Sequence, residues 1–177
     1  MIENIFTQRY SPYTFADTPI SDNEREAMFE AARWSPSCYN EQPWRFVFAK
    51  NKSDIEKFQS TLVEANQTWA NHAPMLIYLF AKKSFTQNDK PNRWSAFDVG
   101  AAWMALTFQA NKLGLHTHAM GGFDRDRAYG VTGVDEKEYD VLCAIAVGKS
   151  GETGNKNDTR RERKSLDEIV FEGKFDA

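Results

Sequence analysis

Between Ser95 and Leu113 the chain carries Phe97, Val99, Ala101, Ala102, Trp103, Leu106, Phe108 and Ala110. At helical spacing these side chains fall on most faces. A helix apolar all round has to be buried, inside the domain or against a partner. Gly114 stands where a glycine closes such a helix. The rest of the fold must therefore cover this segment. With 177 residues, the chain is long enough for one domain, 1–177, with a sizeable core. Its 41% hydrophobic and 14% aromatic content excludes a disordered polymer. The most apolar part, Ala96 to Ala110, contains Asp98 and Gln109 and is too short to span a bilayer. No membrane partner is expected.

The surrounding elements follow from local pattern. Ser21 and Glu24 have capping-box spacing, and Met28, Ala31, Ala32 and Ser35 follow at helical intervals. Pro36 biases Ser35 away from helical backbone, so this helix should end near Trp34. Trp44, Phe46 and Phe48 alternate with Arg45, Val47 and Ala49, which predicts a strand. Ser53 and Glu56 form a second capping-box pattern, opening one helix with the stripe Ile55, Phe58, Leu62, Ala65 and Trp69. Met75 to Ala81 and Val141 to Val147 read as buried strands. Polar stretches from Lys82 to Arg93 and from Gly148 to Thr159 read as loops. Leu166 to Val170 reads as a short helix or docking segment. The order α-β-α-β-α-(β)-β predicts a single α+β domain.

Charge and cysteine usage narrow the function classes. Lys plus Arg is 22 and Asp plus Glu is 25, so the net charge is −3. A general nucleic-acid binder would usually be basic. Cys38 and Cys143 match neither a disulfide framework nor a zinc spacing. Residues 1–20 contain Arg9 and Asp17 and no apolar core, so no signal peptide is expected and a cytoplasmic location is the natural reading.

Four segments carry side chains or backbone suited to a polar ligand. The run Ser35-Pro36-Ser37-Cys38-Tyr39-Asn40-Glu41-Gln42-Pro43-Trp44 joins a helix to a strand and can present amides and a hydroxyl. It also fits an ordinary capping turn. Arg9-Tyr10-Ser11 pairs a guanidinium with a hydroxyl, a combination suited to phosphate or to plain surface solvation. Arg160-Arg161-Glu162-Arg163-Lys164 is a second basic cluster or a solvated tail. Met120-Gly121-Gly122 is a turn that allows close backbone approach or tight packing.

Taken in their order along the chain, these segments closely resemble the FMN-dependent nitroreductase family, and the resemblance runs from Arg9 to Val170. It implies an α+β fold with a central mixed β-sheet flanked by helices, in an intertwined homodimer. It implies FMN at the subunit interface and a flavin-dependent oxidoreductase that uses NAD(P)H to reduce nitroaromatics, quinones or related small aromatic acceptors by a ping-pong mechanism. The flavin N5 would carry the chemistry, with no catalytic side chain and no metal. Arg9 and Ser11 would hold the FMN phosphate with Tyr10 and Tyr13 beside them; Tyr13 stands where many relatives have a further basic residue. Arg163, then Arg161, would return to the same phosphate. Pro36, Ser37, Cys38, Asn40 and Gln42 would edge the flavin ring. Met120, Gly121 and Gly122 would bring backbone N–H groups to N5, without the glutamate that many relatives carry at the position of Gly121. A non-catalytic flavin-binding, redox-sensing dimer is the alternative.

Other motifs fail. Gly148-Lys149-Ser150 ends like a P-loop, but Cys143 occupies the place of its first glycine. No Gly-x-Gly-x-x-Gly occurs. His72, His116 and His118 lack metal spacing, although His116 and His118 share one side of a strand. Cys38 as a nucleophile would lack a neighbouring activating base.

Overall fold

A computed structural model describes residues 2–151 and 161–175. Four strands form one sheet in the order β1-β2-β4-β3, with β1 at Trp44–Ala49, β2 at Met75–Lys82, β3 at His116–Met120 and β4 at Tyr139–Gly148. All three pairings are antiparallel. The described sheet is therefore antiparallel where a mixed sheet was expected.

Central strand β2 explains how the core divides. Side chains alternate across a strand. Met75, Ile77, Leu79 and Ala81 face one layer; Leu76, Tyr78 and Phe80 face the other. The first layer contains α2 (Asp22–Arg33) and α5 (Ser95–Lys112), which bury Met28, Ala32, Val99, Ala102, Leu106 and Ala110. The second contains α3 (Lys52–Gln59), α4 (Glu64–Ala70) and α6 (Arg125–Thr132), with Phe58, Trp69 and Ala128. Both faces of β2 are covered, so its uninterrupted apolar run follows.

Local signals set several ends. Ser21 and Glu24 form the reciprocal capping box of α2, which ends at Arg33 ahead of Pro36. Gly114 adopts φ 73° after α5, a left-handed conformation natural to glycine. Other expectations need correction. A short helix, α1 (Asn4–Gln8), precedes Arg9. The expected single helix over Ile55–Trp69 is two helices. Thr61–Val63 pairs instead with the chain after β3, through Val63 N–H to Gly122 O (3.1 Å) and Asp124 N–H to Thr61 O (2.8 Å). Asn51, rather than Ser53, caps α3 by accepting from the Asp54 N–H at 3.0 Å.

Helix α5 packs on α2, the sheet and α1, but the start of the helix has an outward side. Its outward side carries Phe97, which is 76% exposed, and Trp94 and Tyr39 are exposed nearby in sequence or across the Cys38–Asp98 contact. The segment after Arg161 exposes Leu166, Ile169, Val170 and Phe175. Among the described residues, no helix is long and apolar enough to cross a membrane.

Candidate functional site

The basic segments from opposite ends of the chain meet. A cavity of about 730 Å³ is lined by Arg9, Tyr10, Ser11, Tyr13, Arg161 and Arg163, together with Trp103, His118 and Ala119. Arg9 Nη1 donates to Ser11 Oγ at 3.3 Å. Partial burial lowers the Arg9 pKa from its ordinary value, and the positive charge of Arg163 lowers it further. Three guanidinium groups line the cavity, with no carboxylate among the described residues that line it. Such an arrangement favours a bound anion with several acceptor oxygens.

The N-terminal segment is fixed by the chain that leaves β4. Ala16 N–H donates to Lys149 O at 3.0 Å, and Gly151 N–H donates to Thr14 O at 3.0 Å. Tyr10 OH donates to Ser150 Oγ at 2.9 Å. These bonds carry Arg9 and Ser11 alongside β3. On the far side, Arg163 Nη1 donates to the carbonyls of Arg161 (3.0 Å) and Glu162 (3.1 Å). That contact curls the segment so that both arginines line one cavity.

Trp103, His118 and Ala119 are lining residues that the sequence reading did not select. Trp103 was absorbed into the apolar pattern of α5. The His116/His118 alternation was visible, and it does place His118 at the cavity. His118 also stacks on Trp69 at 4.3 Å, meets Tyr13 edge-on at 4.6 Å, and bonds through Nδ1 to Pro12 O at 2.8 Å. Among the described residues, no group of three His, Cys, Asp or Glu side chains is arranged to hold a metal.

Pro36, Ser37, Cys38, Asn40 and Gln42 do not line this cavity. They form a separate turn against the start of α5. Ser37 Oγ accepts from the Gln42 N–H at 2.9 Å, so this hydroxyl braces the turn internally. Gln42 Nε2 donates to Asn40 O at 3.1 Å. Cys38 N–H donates to Asp98 Oδ2 at 3.0 Å. Tyr39, Asn40 and Gln42 all have left-handed backbone, with φ of 53°, 56° and 52°. Asparagine tolerates this region; a bulky tyrosine rarely adopts it.

The glycine turn also divides. Met120 is buried in the core at the end of β3. A Cβ on Gly121 would meet nothing within 4 Å, so its backbone is approachable. A Cβ on Gly122 would lie 2.7 Å from Asn66 Nδ2 and 2.8 Å from Val63 Cγ2. Gly122 O accepts from Asn66 Nδ2 at 2.9 Å. The smallness of Gly122 is therefore explained by the start of α4, whatever binds at Gly121.

Comparison with known proteins agrees with this architecture. The chain belongs to the nitroreductase family, whose model matches residues 6–66 and 56–149. A Streptomyces griseus protein named "Putative NADH dehydrogenase/NAD(P)H nitroreductase" is 23% identical over 94% of this chain and 92% of its own length. The crystal structure of an oxidoreductase containing FMN superposes with a TM-score of 0.93 at 32% identity, covering 99% of this chain and 93% of the other. A Desulfovibrio desulfuricans protein crystallised in complex with FMN has a TM-score of 0.78 at 21% identity, over 98% of this chain and 96% of its own.

Proposed function

We propose that this chain is an FMN-dependent oxidoreductase that takes electrons from NAD(P)H and passes them to nitroaromatics, quinones or related small aromatic acceptors in a ping-pong cycle. The observation that carries this reading is the convergence of Arg9, Ser11, Arg161 and Arg163 on one cavity, with no carboxylate among the described residues that line it. That donor set fits the phosphate of FMN. The 32%-identical relative containing FMN supports the same cofactor. Bound FMN would supply the two-electron chemistry, accepting from the nicotinamide and giving to the acceptor.

The protein's own residues bind, orient and polarise. Arg9, Arg161 and Arg163 supply forked donors and positive charge to a phosphate, with Ser11 adding a hydroxyl. Asn40 and Gln42 offer both donors and acceptors to the edge of a flat heterocycle. The approachable backbone at Gly121 offers main-chain contact without side-chain obstruction. The Asn40/Gln42 turn and the arginine cavity are separate features of one protomer. Together with the outward apolar side of α5 and the exposed apolar C-terminal segment, this supports a homodimer whose sites take residues from both chains.

Initial rates with varied NADH or NADPH and a quinone test the cycle. Parallel double-reciprocal lines are expected. Intersecting lines would require both substrates to bind together and would contradict the ping-pong reading.

A further inference from the structure

We infer that Glu41 and Asp98 are positioning residues, two carboxylates that hold the left-handed turn 38–42 from opposite ends. The inference rests on the flavin reading above, in which Asn40 and Gln42 face the cofactor. It concerns residues outside that contact set. Of the four described non-glycine residues with positive φ, three are Tyr39, Asn40 and Gln42. Sparsely populated backbone persists only where the surroundings enforce it. Tyr39 cannot supply that enforcement through burial, because it is 82% exposed.

The surroundings are specific. At the start of the turn, the buried carboxylate of Asp98 accepts from the Cys38 N–H at 3.0 Å. Asp98 lies in the first turn of α5, where a helix favours negative charge. At the end of the turn, the Glu41 side chain is only 7% exposed. Its two oxygens accept from Thr86 N–H at 2.9 Å and Thr86 Oγ1 at 2.6 Å. Lys82 Nζ stands 3.8 Å away and itself donates to Thr86 Oγ1 at 2.7 Å. Tyr39 meets Phe85 edge-on at 5.8 Å. The turn is thus tied to α5 at one end and to the 83–93 loop at the other. Neither carboxylate lines the arginine cavity. Each acts through the backbone it holds.

The test compares Glu41→Ala, Glu41→Gln, Asp98→Ala and Asp98→Asn with wild-type holoprotein. It measures the dissociation constants of FMN and of riboflavin, the amide hydrogen exchange of residues 38–42, and thermal midpoints. Each alanine variant should weaken FMN and riboflavin by the same factor, about tenfold, the scale of one lost charge-assisted hydrogen bond. Exchange across 38–42 should quicken. The amide variants keep an acceptor and should recover most of the affinity. Equal FMN and riboflavin losses place the effect at the ring, away from the phosphate cavity. Unchanged binding and exchange in both alanine variants would overturn the inference while leaving the flavin reading intact. A drop in thermal midpoint with unchanged riboflavin affinity would also overturn it, because it would show a purely structural role. If Asp98→Ala does not fold, Glu41→Ala, at the other end of the turn, decides. Failure of wild-type protein to bind FMN would instead remove the flavin reading itself.

Discussion

Replacing Arg163 with alanine should weaken FMN strongly while leaving riboflavin almost unaffected. Arg163 lies close enough to Arg9 to lower the Arg9 pKa through like-charge repulsion. An anion between them relieves that repulsion and receives their donors. Arg163 uses Nη1 for the Arg161 and Glu162 carbonyls; among the described residues, nothing accepts from its Nη2 or Nε, which can turn to a ligand. Loss of hydrogen bonds from a charged donor corresponds to about 1.5–3 kcal/mol. That is roughly a ten- to hundredfold rise in the FMN dissociation constant. Riboflavin has the same ring system but no phosphate, so its constant should change less than about twofold, within the tenths of a kcal/mol usual for surface substitutions. Quenching of flavin fluorescence on titration with apo-protein reads both constants. Raising the salt concentration should narrow the FMN difference between wild type and variant, because exposed charges are screened. An unchanged FMN constant would show that the C-terminal cluster is a solvated tail. An equal loss for riboflavin would show that Arg163 acts on the fold or the ring rather than on phosphate.

Gly122→Ala should destabilise the protein by about 1–3 kcal/mol through overpacking against Asn66 and Val63; an unchanged denaturant midpoint would refute that contact. Cys38→Ser should keep FMN and retain quinone reduction within about tenfold, because only the Cys38 backbone holds Asp98 and the flavin supplies the redox centre. A loss of several orders of magnitude with FMN still bound would restore a catalytic cysteine. Burial would raise the Glu41 pKa, but hydrogen bonds from Thr86 and the charges of Lys82 and Arg45 outweigh it and hold it below the ordinary carboxylate value. The stabilisation from this clamp is complete above the ordinary value and is lost as pH falls through the folded one. The Thr86 amide NMR shift should therefore titrate below the ordinary glutamate range; a midpoint above that range contradicts the clamp. Light scattering at low micromolar concentration should report about twice the 20.3 kDa chain mass, and a monomer that holds FMN tightly would contradict a shared site.

The legible parts of the fold were those determined locally. Ser21 with Glu24, Pro36 and Gly114 set helix ends through their own chemistry, and the apolar runs at Met75–Ala81 and Val141–Val147 marked buried strands. The break between α3 and α4 was hidden because its cause lies far away, in the pairing of Thr61–Val63 with Gly122–Asp124. Helix α6 was missed because Arg125–Thr132 contains Gly130 and buries only Ala128, so it has no apolar stripe. Antiparallel pairing throughout is a property of strand order, which no local pattern records. In the candidate site, the two arginine clusters were selected together through family resemblance rather than spacing. Trp103 escaped notice because an aromatic residue in an apolar helix resembles core. The Asp98 and Glu41 anchors join partners 60 and 45 residues apart, and nothing near either residue announces its role.

The absorption spectrum of the purified protein, before and after adding NADH or NADPH without oxygen, tests the central claim most directly. Flavin bands in the near-ultraviolet and blue are expected to bleach with the nicotinamide and return when a quinone is added. Bound flavin that neither nicotinamide bleaches would mark a non-catalytic flavin binder. A colourless protein whose apo form fails to take up FMN at micromolar concentration would contradict the account outright.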